Sequence, residues 1–401
     1  MPVLIGVDEA GYGPNLGPLC VAATAWKVKE RGDTGQGTGG SKECVGAAVK
    51  RAVASPPTAA ATGGVDLYKL LRKAVARTPD KAGRKLAIAD SKALYTAGVG
   101  VEQLERGVLA AIASMGAPSN GSGTLPANAP ADAGCVARVS ELLAATAADP
   151  DKRRRELDCH FDDEQRLPIE AEAQQICKLA AKLRAVCEEQ GVALLAVRAR
   201  LVYPAEFNEL VEHFGNKGAA LSHITLELVR RVVDEVSGIT PAAPGSARGS
   251  LATGTESILM ETRPRPEAGA ADGEAVHICL DKHGGRNRYA ALLQHHFPDS
   301  WIATVSENRN RSRYRWQHGD SPMEALFRVG CEELLPTALA SMTAKYHREV
   351  AMRAFNAFWT SRLPALQPTA GYPGDSHRFK ADIAGLQAEL GIEDRLLWRC
   401  R

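Results

Sequence analysis

Short apolar runs alternate along this chain with longer segments in which apolar residues recur every three or four positions. Runs of about five to twelve residues that are rich in apolar side chains predict buried strands. Such runs occupy residues 3–7, 18–27, 192–203 and 276–280, and residues 301–306 with 311–316 predict a hairpin. Because strands alternate with segments of helical spacing, the sequence predicts an α/β fold with a mixed sheet.

Helical spacing marks residues 65–76, 171–189 and 216–236. The second of these is expected to end at Gly191, since glycine commonly caps a helix at its carboxyl end. Helix is also expected to dominate residues 323–362, and one more helix is expected after Pro373. These segments supply the helical layers that an α/β sheet needs on its faces.

Three polar, low-complexity segments interrupt this pattern, at about residues 30–64, 117–189 and 242–273. We interpret them as insertions in a core that spans residues 1–355. Residues 356–401 are then expected to form a C-terminal helical extension. No internal repeat is visible in the sequence.

Composition adds a few limits. The chain has 401 residues, 45% of them hydrophobic, which is enough for a sizeable core. Its 49 Lys and Arg residues nearly balance its 47 Asp and Glu residues, so nucleic acid would have to bind at a local basic patch. The nine cysteines stand without a C-x-x-C pair, which predicts reduced thiols and no zinc site of the usual cysteine spacing. No secretory leader or membrane-spanning run is recognisable, and a cytoplasmic protein is expected.

Four carboxylates occupy positions suited to metal chemistry. Asp8 and Glu9 end the first predicted strand, Asp281 ends a later strand, and Glu349 lies in the late helix. Ligands bind at strand ends in α/β sheets, and carboxylates gathered there favour Mg²⁺ or Mn²⁺, with two ions expected. The break at residues 10–14 would let Asp8 and Glu9 share one site. By itself, an Asp-Glu pair beside a glycine-rich turn is more often a solvated turn.

Two further groups suit a phosphate. Ser341, Lys345 and Glu349 recur every four residues and so share one side of the helix, although Lys345 and Glu349 could equally be a surface ion pair. Ser91 and Lys92 follow a predicted strand, where Asp90 or Ser91 could instead be a helix N-cap.

Basic residues cluster after Asp281. Arg286 and Arg288 follow it closely, and four arginines then alternate with aromatic residues along the predicted hairpin: Arg309, Arg311, Arg313 and Arg315, with Tyr314 and Trp316. A basic strand with interleaved aromatics suits a nucleic-acid backbone. An ordinary polar edge strand has the same pattern.

Together these segments resemble the ribonuclease HII family. Its first motif, Asp-Glu-Ala-Gly-Arg-Gly-Pro with a following Gly-Pro, matches residues 8–14 and 17–18 except at Tyr12. Its Asp-Ser-Lys-x-Leu matches residues 90–94, and its Ala-Ser-x-x-Ala-Lys-x-x-Arg-Asp matches residues 340–349 except that Glu349 stands in place of Asp. Gly371-Tyr372-Pro373 with His377 resembles a further segment near the family's C-terminus.

The resemblance implies a ribonuclease H-like mixed sheet flanked by helices, two divalent cations, and hydrolysis of nucleic-acid backbone. The expected reaction is cleavage of the RNA strand of RNA–DNA hybrids, or 5′ to a ribonucleotide embedded in duplex DNA. The resemblance also implies that Asp8, Glu9, Asp281 and Glu349 carry out catalysis and bind the metal ions. It assigns substrate binding to Gly11, Tyr12, Gly13, Ser91, Lys92, Ser341, Lys345 and Tyr372.

Two alternatives stay open. Tyr12 replaces a basic residue of the family's first motif, which favours a nuclease of the same fold that acts on another nucleic-acid structure. The other alternative is a protein that binds hybrid duplexes without cutting them. The four carboxylates argue against the second alternative, because a pure binder gains nothing from negative charge facing phosphates.

Overall fold

A computed structural model describes residues 1–29, 64–95, 100–115, 136–147, 162–239 and 273–400. The predicted insertions at about 30–64 and 242–273 lie outside these residues, apart from Gly64 and Gly273. The predicted insertion at 117–189 is described only at residues 136–147 and from residue 162 onward.

Seven strands form one mixed sheet in the order β5-β2-β1-β6-β9-β8-β7. Their bounds are β1 Val3–Ala10, β2 Leu19–Val28, β5 Val192–Val202, β6 Val276–Asp281, β7 Ala303–Glu307, β8 Arg311–His318 and β9 Ser321–Arg328. Strands β1, β6 and β9 are parallel neighbours, whereas the remaining pairs are antiparallel. A separate pair of short parallel strands comprises β3 Val75–Ala76 and β4 Leu86–Ala87.

Helices cover both faces of the sheet. Their bounds are α1 Leu67–Leu70, α2 Ser91–Leu94, α3 Glu102–Ser114, α4 Val139–Thr146, α5 Ala173–Gln190, α6 Pro204–Phe214, α7 Lys217–Val236, α8 Ala290–His296, α9 Leu335–Thr360, α10 Pro373–Glu389 and α11 Asp394–Leu397. One turn of 3₁₀-helix, Cys331–Glu333, precedes α9. The predicted α/β class, with a mixed sheet flanked by helices, is confirmed.

The two faces of β1 belong to different cores. Leu4 packs with α3 and α9, in a cluster that includes Leu104 and Leu339. Val7 packs on the other face with Ile224 of α7, because successive side chains of a strand point to opposite sides. This alternation decides which face each residue at the end of β1 can reach.

Several predicted elements agree with the structure. The runs at residues 18–27, 192–203 and 276–280 are strands, and the predicted hairpin is β7 and β8. Asn216 caps α7 by accepting a hydrogen bond from the Ala219 N–H, and Gly191 ends α5 in the left-handed conformation. Helix α5 packs into the central core through Leu179 and Leu183, although its residues were assigned to an insertion.

Two predicted helices were wrong in extent. The helix expected from residue 323 begins only at Leu335, and Ser321–Arg328 is the strand β9. The segment Ser321–Arg328 contains good helix formers. It nevertheless lies as β9 between β6 and β8 and is buried on both faces, so tertiary burial overrides its helix propensity. Of residues 65–76, only Leu67–Leu70 is helical, and Val75–Ala76 pairs with β4.

The C-terminal region packs against the rest through a third cluster. Phe355 and Trp359 of α9 meet Phe379 and Ile383 of α10 together with Leu16, which precedes β2. Helix α9 is continuous across the predicted boundary at residues 355–356. The division into a core and an extension stays a prediction.

Cys20, Cys187, Cys279, Cys331 and Cys400 are free thiols. Cys177, in contrast, is disulfide-bonded, so the prediction of reduced cysteines is wrong at this position. Spacing along the sequence does not show which thiols meet in space. Among the described helices, none combines the length and the apolar character needed to cross a membrane.

Candidate active site

Asp8 and Asp281 lie side by side where two parallel strands end. In the register of β1 and β6, Val7 pairs with Leu280, so the next residue of each strand is a carboxylate. Asp8 continues the face of Leu4 and lies under α9, and its carboxylate is hydrogen-bonded to the Ser341 side chain. The carboxyl ends of parallel strands are where α/β proteins place ligands.

Glu9 joins this pair from the other face of β1. The strand does not end at Glu9, as the sequence had suggested, but continues to Ala10, and Gly11 then turns the chain with a φ of 87°. Glu9 nevertheless lies close enough to Asp281 for the negative charge of Asp281 to act on its pKa. The structure therefore brings Asp8, Glu9 and Asp281 together.

Glu332 is a fourth carboxylate in this group, and it was not among the residues predicted from the sequence. It lies in the 3₁₀ turn before α9, and its charge acts on both Asp8 and Glu9. The segment was read as part of one long helix, which concealed the turn. Gly330, in the left-handed conformation at the start of the turn, was the available signal.

The four carboxylates are crowded and short of water. Burial, followed by the charge of Glu9, raises the pKa of Asp8 well above its ordinary value. Burial, followed by the charge of Asp281, raises the pKa of Glu9 to about 7. Burial is also the main cause that raises the pKa of Asp281 and of Glu332. Such a set gains stability from a cation that neutralises it.

The chemistry of the donors fits a hard divalent cation, because all four groups offer carboxylate oxygens. Asp281 is held in place by the backbone N–H of Cys331, which donates a hydrogen bond of 2.8 Å to Oδ1. Among the described residues, no three of these carboxylates have oxygens that all lie within 4.8 Å of one another. One ion would therefore need side-chain rotation to contact three of them, whereas a pair of ions could divide the set.

Hydroxyl groups and one ammonium flank the carboxylates. Ser341 Oγ donates a 3.0 Å hydrogen bond to Ser91 Oγ and accepts one of 3.2 Å from the Ser91 N–H. Asp90 caps α2 by accepting a hydrogen bond from the Lys92 N–H, so the predicted N-cap is present. The Lys92 ammonium lies near Asp90, Glu332, Asp8 and Asp281, and the charge of Asp90 is the main cause that raises its pKa.

Glu349 has different partners. Its carboxylate accepts a hydrogen bond of 2.9 Å from the Tyr95 hydroxyl and one of 2.5 Å from the Lys345 ammonium. That ammonium also lies 4.3 Å from the centre of the Tyr95 ring. Ser341, which contacts Asp8, is eight residues earlier in α9, or about 12 Å along the helix axis. The Lys345–Glu349 ion pair that the sequence left open is thus present.

The glycine turn after β1 lies beside Tyr372. A side chain at Gly13 would come within 4.0 Å of the Tyr372 ring, which is half exposed. Buried Arg348 connects the surrounding segments, since its guanidinium donates hydrogen bonds to the carbonyls of Pro18 (2.7 Å) and Ala370 (2.9 Å). In the sequence, Arg348 is only a matching position of a motif, and its bridging role comes from its burial. Tyr12 is partly buried, and burial followed by the charge of Glu9 raises its pKa.

The basic hairpin is mostly structural. Tyr314 and Trp316 are buried in the core, so these rings cannot stack on bases. Arg313 and Arg315 both pair with Glu324 on β9, at 3.5 and 2.7 Å. The arginines of β8 therefore fit an ordinary strand better than a nucleic-acid surface. The strand is not at the edge of the sheet, however, because β7 lies outside it. Arg288, Arg309 and Arg311 are exposed.

Comparisons with known proteins add little. No protein-family model matches the chain, and no curated protein matches it. One solved structure, the PCNA:RNase HII complex from Archaeoglobus fulgidus, aligns with a TM-score of 0.36 and 11% sequence identity, over 100% of this chain and 94% of that chain. This similarity is too low to support a conclusion about the present chain.

Proposed function

We propose that this protein is a metal-dependent endoribonuclease that cuts the RNA strand of RNA–DNA hybrids, or cuts 5′ to ribonucleotides embedded in duplex DNA. The observation that carries the proposal is the group Asp8, Glu9, Asp281 and Glu332, whose pKa values are all raised. A crowded set of carboxylates next to hydroxyls and an ammonium is suited to phosphodiester hydrolysis. The ribonucleotide substrate rests on the motif resemblance.

The four carboxylates would hold Mg²⁺ or Mn²⁺ ions, two in number. When bound, such ions make a water molecule nucleophilic at neutral pH and stabilise charge on the phosphate. We place Glu332 in this set because its charge acts on Asp8 and Glu9, whereas Glu349 is hydrogen-bonded to Tyr95 and Lys345. Glu349 remains the competing assignment from the motif.

The flanking groups would position the substrate. The Ser91 hydroxyl and the Lys92 ammonium lie at the margin of the carboxylates, where they would donate hydrogen bonds to phosphate oxygens, and Ser341 would bind substrate through Ser91, to which its hydroxyl donates. The turn at Gly11, Tyr12 and Gly13 lies beside the exposed Tyr372 ring, which suits a sugar placed between them. Lys345, which is paired with Glu349, would contact a phosphate further along the strand.

The test uses purified full-length protein and three end-labelled duplexes: one with a single embedded ribonucleotide, one RNA–DNA hybrid and one of DNA alone. Each is incubated with Mg²⁺, Mn²⁺ or a chelator. We expect metal-dependent cutting of the first two duplexes and complete loss of cutting with Asp8→Asn. Asp382→Asn, a surface carboxylate of α10 paired with Arg378, is the matched control and should cut normally.

The other outcomes identify the alternatives. Cutting of the DNA duplex alone would replace the proposal with a nuclease that acts on another structure, as Tyr12 suggested. Tight binding of hybrid without cutting, in either metal, would leave a binding protein. If that protein also bound hybrid with chelator present, the half-buried carboxylates Asp281 and Glu332 would have no role in binding, because their negative charge repels phosphates when no cation is bound.

A further inference from the structure

Three histidines meet on the side of the sheet formed by α7 and α8. His223 lies in α7, and His295 and His296 end α8. One ring nitrogen from each lies within 4.8 Å of the others, which makes this the one group of metal-ligating side chains so closely spaced in the described part of the chain. His223 Nδ1 and His296 Nε2 are 3.2 Å apart.

We propose that His223, His295 and His296 bind a transition-metal ion of the Zn²⁺ class, at a site separate from the four carboxylates. With Zn–N bonds of about 2.0–2.1 Å and tetrahedral angles, two imidazole nitrogens on one ion lie about 3.3 Å apart. The spacing of His223 and His296 already matches this value. Imidazole nitrogens prefer zinc, copper or nickel to the hard ions that carboxylates favour, so the two sites would select different metals.

The surroundings hold two of the three rings in place. Phe214 stacks face to face on His223, with ring centres 3.8 Å apart and planes 7° apart, which leaves the ring-edge nitrogens accessible. The guanidinium of Arg230 donates a 2.9 Å hydrogen bond to the His296 carbonyl and also pairs with Asp234. Burial is the main cause that lowers the pKa of both His223 and His296, which favours the neutral form of each ring. A neutral ring is the form that binds metal.

His295 is exposed, so the site opens to solvent. Three protein ligands with an open fourth position describe a site that would complete its coordination with water or with an outside ligand. A bound ion would join α7 to α8 by a link that the polypeptide does not provide. Ser222, next to His223, is within 3.2 Å of His283 Nδ1, two residues after Asp281, so this link would brace the scaffold behind the carboxylates.

The simpler explanation is that His223 and His296 share an N–H···N hydrogen bond and bind nothing. To separate the two, chelator-treated full-length protein is titrated with Zn²⁺ by calorimetry, with saturating Mg²⁺ present to occupy the carboxylates. Co²⁺ replaces Zn²⁺ in a parallel titration, because its visible absorption bands report tetrahedral nitrogen coordination. The variants are His223→Gln, His295→Gln, Asp8→Asn and, as matched control, the exposed His377→Gln.

We expect one equivalent of Zn²⁺ to bind the unmodified protein, Asp8→Asn and His377→Gln alike. Loss of one of three ligands should weaken binding at least about 100-fold in His223→Gln and His295→Gln. Zn²⁺ should raise the melting temperature of the unmodified protein but not of His295→Gln, whose exposed side chain is not needed for folding. Equal Zn²⁺ affinity in all variants would overturn the proposal. Complete loss of Zn²⁺ binding in Asp8→Asn would also overturn it, because the ion would then bind at the carboxylates. Because the readout is binding, failure of the proposed nuclease activity would not affect it.

Discussion

At the scale of single residues, Asp8 on β1 and Glu349 on α9 show how the same chemical group can have different roles. Asp8 is buried beneath α9 and hydrogen-bonded to Ser341, and burial, followed by the charge of Glu9, raises its pKa. Glu349 instead lies between the Lys345 ammonium and the Tyr95 hydroxyl. Two hydrogen-bond donors already stabilise the negative charge of Glu349, so this carboxylate does not require a metal ion.

We therefore predict that Glu332→Gln impairs catalysis more than Glu349→Gln. Loss of a metal ligand should lower metal-dependent kcat by about 100-fold or more, whereas loss of the Lys345 partner should cost about 10-fold or less. The measurement is single-turnover cleavage of the embedded-ribonucleotide duplex over a range of Mg²⁺ concentrations.

The control for this pair is Glu333→Gln, adjacent to Glu332 but paired with Arg328 at the surface. It should leave cleavage unchanged. The opposite ranking, with Glu349→Gln inactive and Glu332→Gln near normal, would restore the motif-based assignment of Glu349 as the fourth ligand.

At the scale of elements, the site depends on how closely α9 approaches β1. A side chain at Gly6 would lie 2.1 Å from the Thr337 backbone nitrogen, so only glycine permits this packing. Thr24 on the neighbouring strand fixes the same end of α9, since its hydroxyl donates a 2.7 Å hydrogen bond to the Pro336 carbonyl. These contacts fix the distance between α9 and the sheet, and so they place Ser341 against Asp8.

Gly6→Ala is accordingly expected to push α9 away from the sheet. Because the clash is with backbone, which cannot rotate aside, the free energy of unfolding should fall by about 3 kcal/mol. Urea denaturation followed by circular dichroism measures this change. Metal-dependent cleavage by the folded fraction should fall as well, since Ser341 and Asp8 would separate.

Gly385→Ala is the matched control for this substitution. Gly385 lies inside α10 with no atom within 4 Å of an added Cβ, so alanine should stabilise the protein by about 0.5–1 kcal/mol. If Gly6→Ala were as stable as the unmodified protein, the close approach of α9 would have no energetic importance.

At the scale of the whole molecule, buried histidines and buried carboxylates have opposite effects on how the stability of the folded protein changes with pH. Burial lowers the pKa of His347 to about 4 from an ordinary value of 6.5, and its Nε2 lies 2.8 Å from the Thr146 hydroxyl. Burial likewise lowers the pKa of His223, His283 and His296. The buried carboxylates act in the opposite sense, because their raised pKa values let the folded protein take up protons near pH 7.

The lowered pKa of His347 makes the folded protein less stable as the pH falls. Between pH 6.5 and about 4, the unfolded chain binds a proton that the folded chain does not, so stability is fully present above pH 6.5 and falls toward pH 4. The loss attributable to this histidine approaches about 3 kcal/mol. His347→Gln, which can still bond to Thr146 and Thr343, should show a flatter dependence on pH.

The measurement compares urea unfolding of both proteins at intervals from pH 7.5 to pH 4. The difference between their unfolding free energies should narrow as the pH falls, because the unmodified protein alone loses the His347 contribution. The buried carboxylates contribute equally to both proteins, so their effect on stability cancels in the difference between the two unfolding free energies. Parallel pH profiles would show that His347 is protonated as easily in the folded state as in the unfolded one.

The sequence alone determined the features that depend on neighbours in the chain. The period of apolar residues predicted most strands, and Gly191 predicted the carboxyl end of α5. It also placed Asp281 correctly at a strand end and Asp8 within two residues of one, because a charged residue after an apolar run marks the region where a strand leaves the core. These are local properties, since the side-chain period and the capping residue act over a few positions.

Only the tertiary structure decided which of these residues meet. Glu332 joins Asp8 because the turn before α9 folds back over β6, and Glu349 meets Tyr95 because α9 continues beyond the end of β1. His223 and His296 lie 73 residues apart in sequence, yet their ring nitrogens are in contact. Such pairings follow from the packing of whole elements, whose relative positions are fixed by the summed burial of many side chains and not by any local pattern.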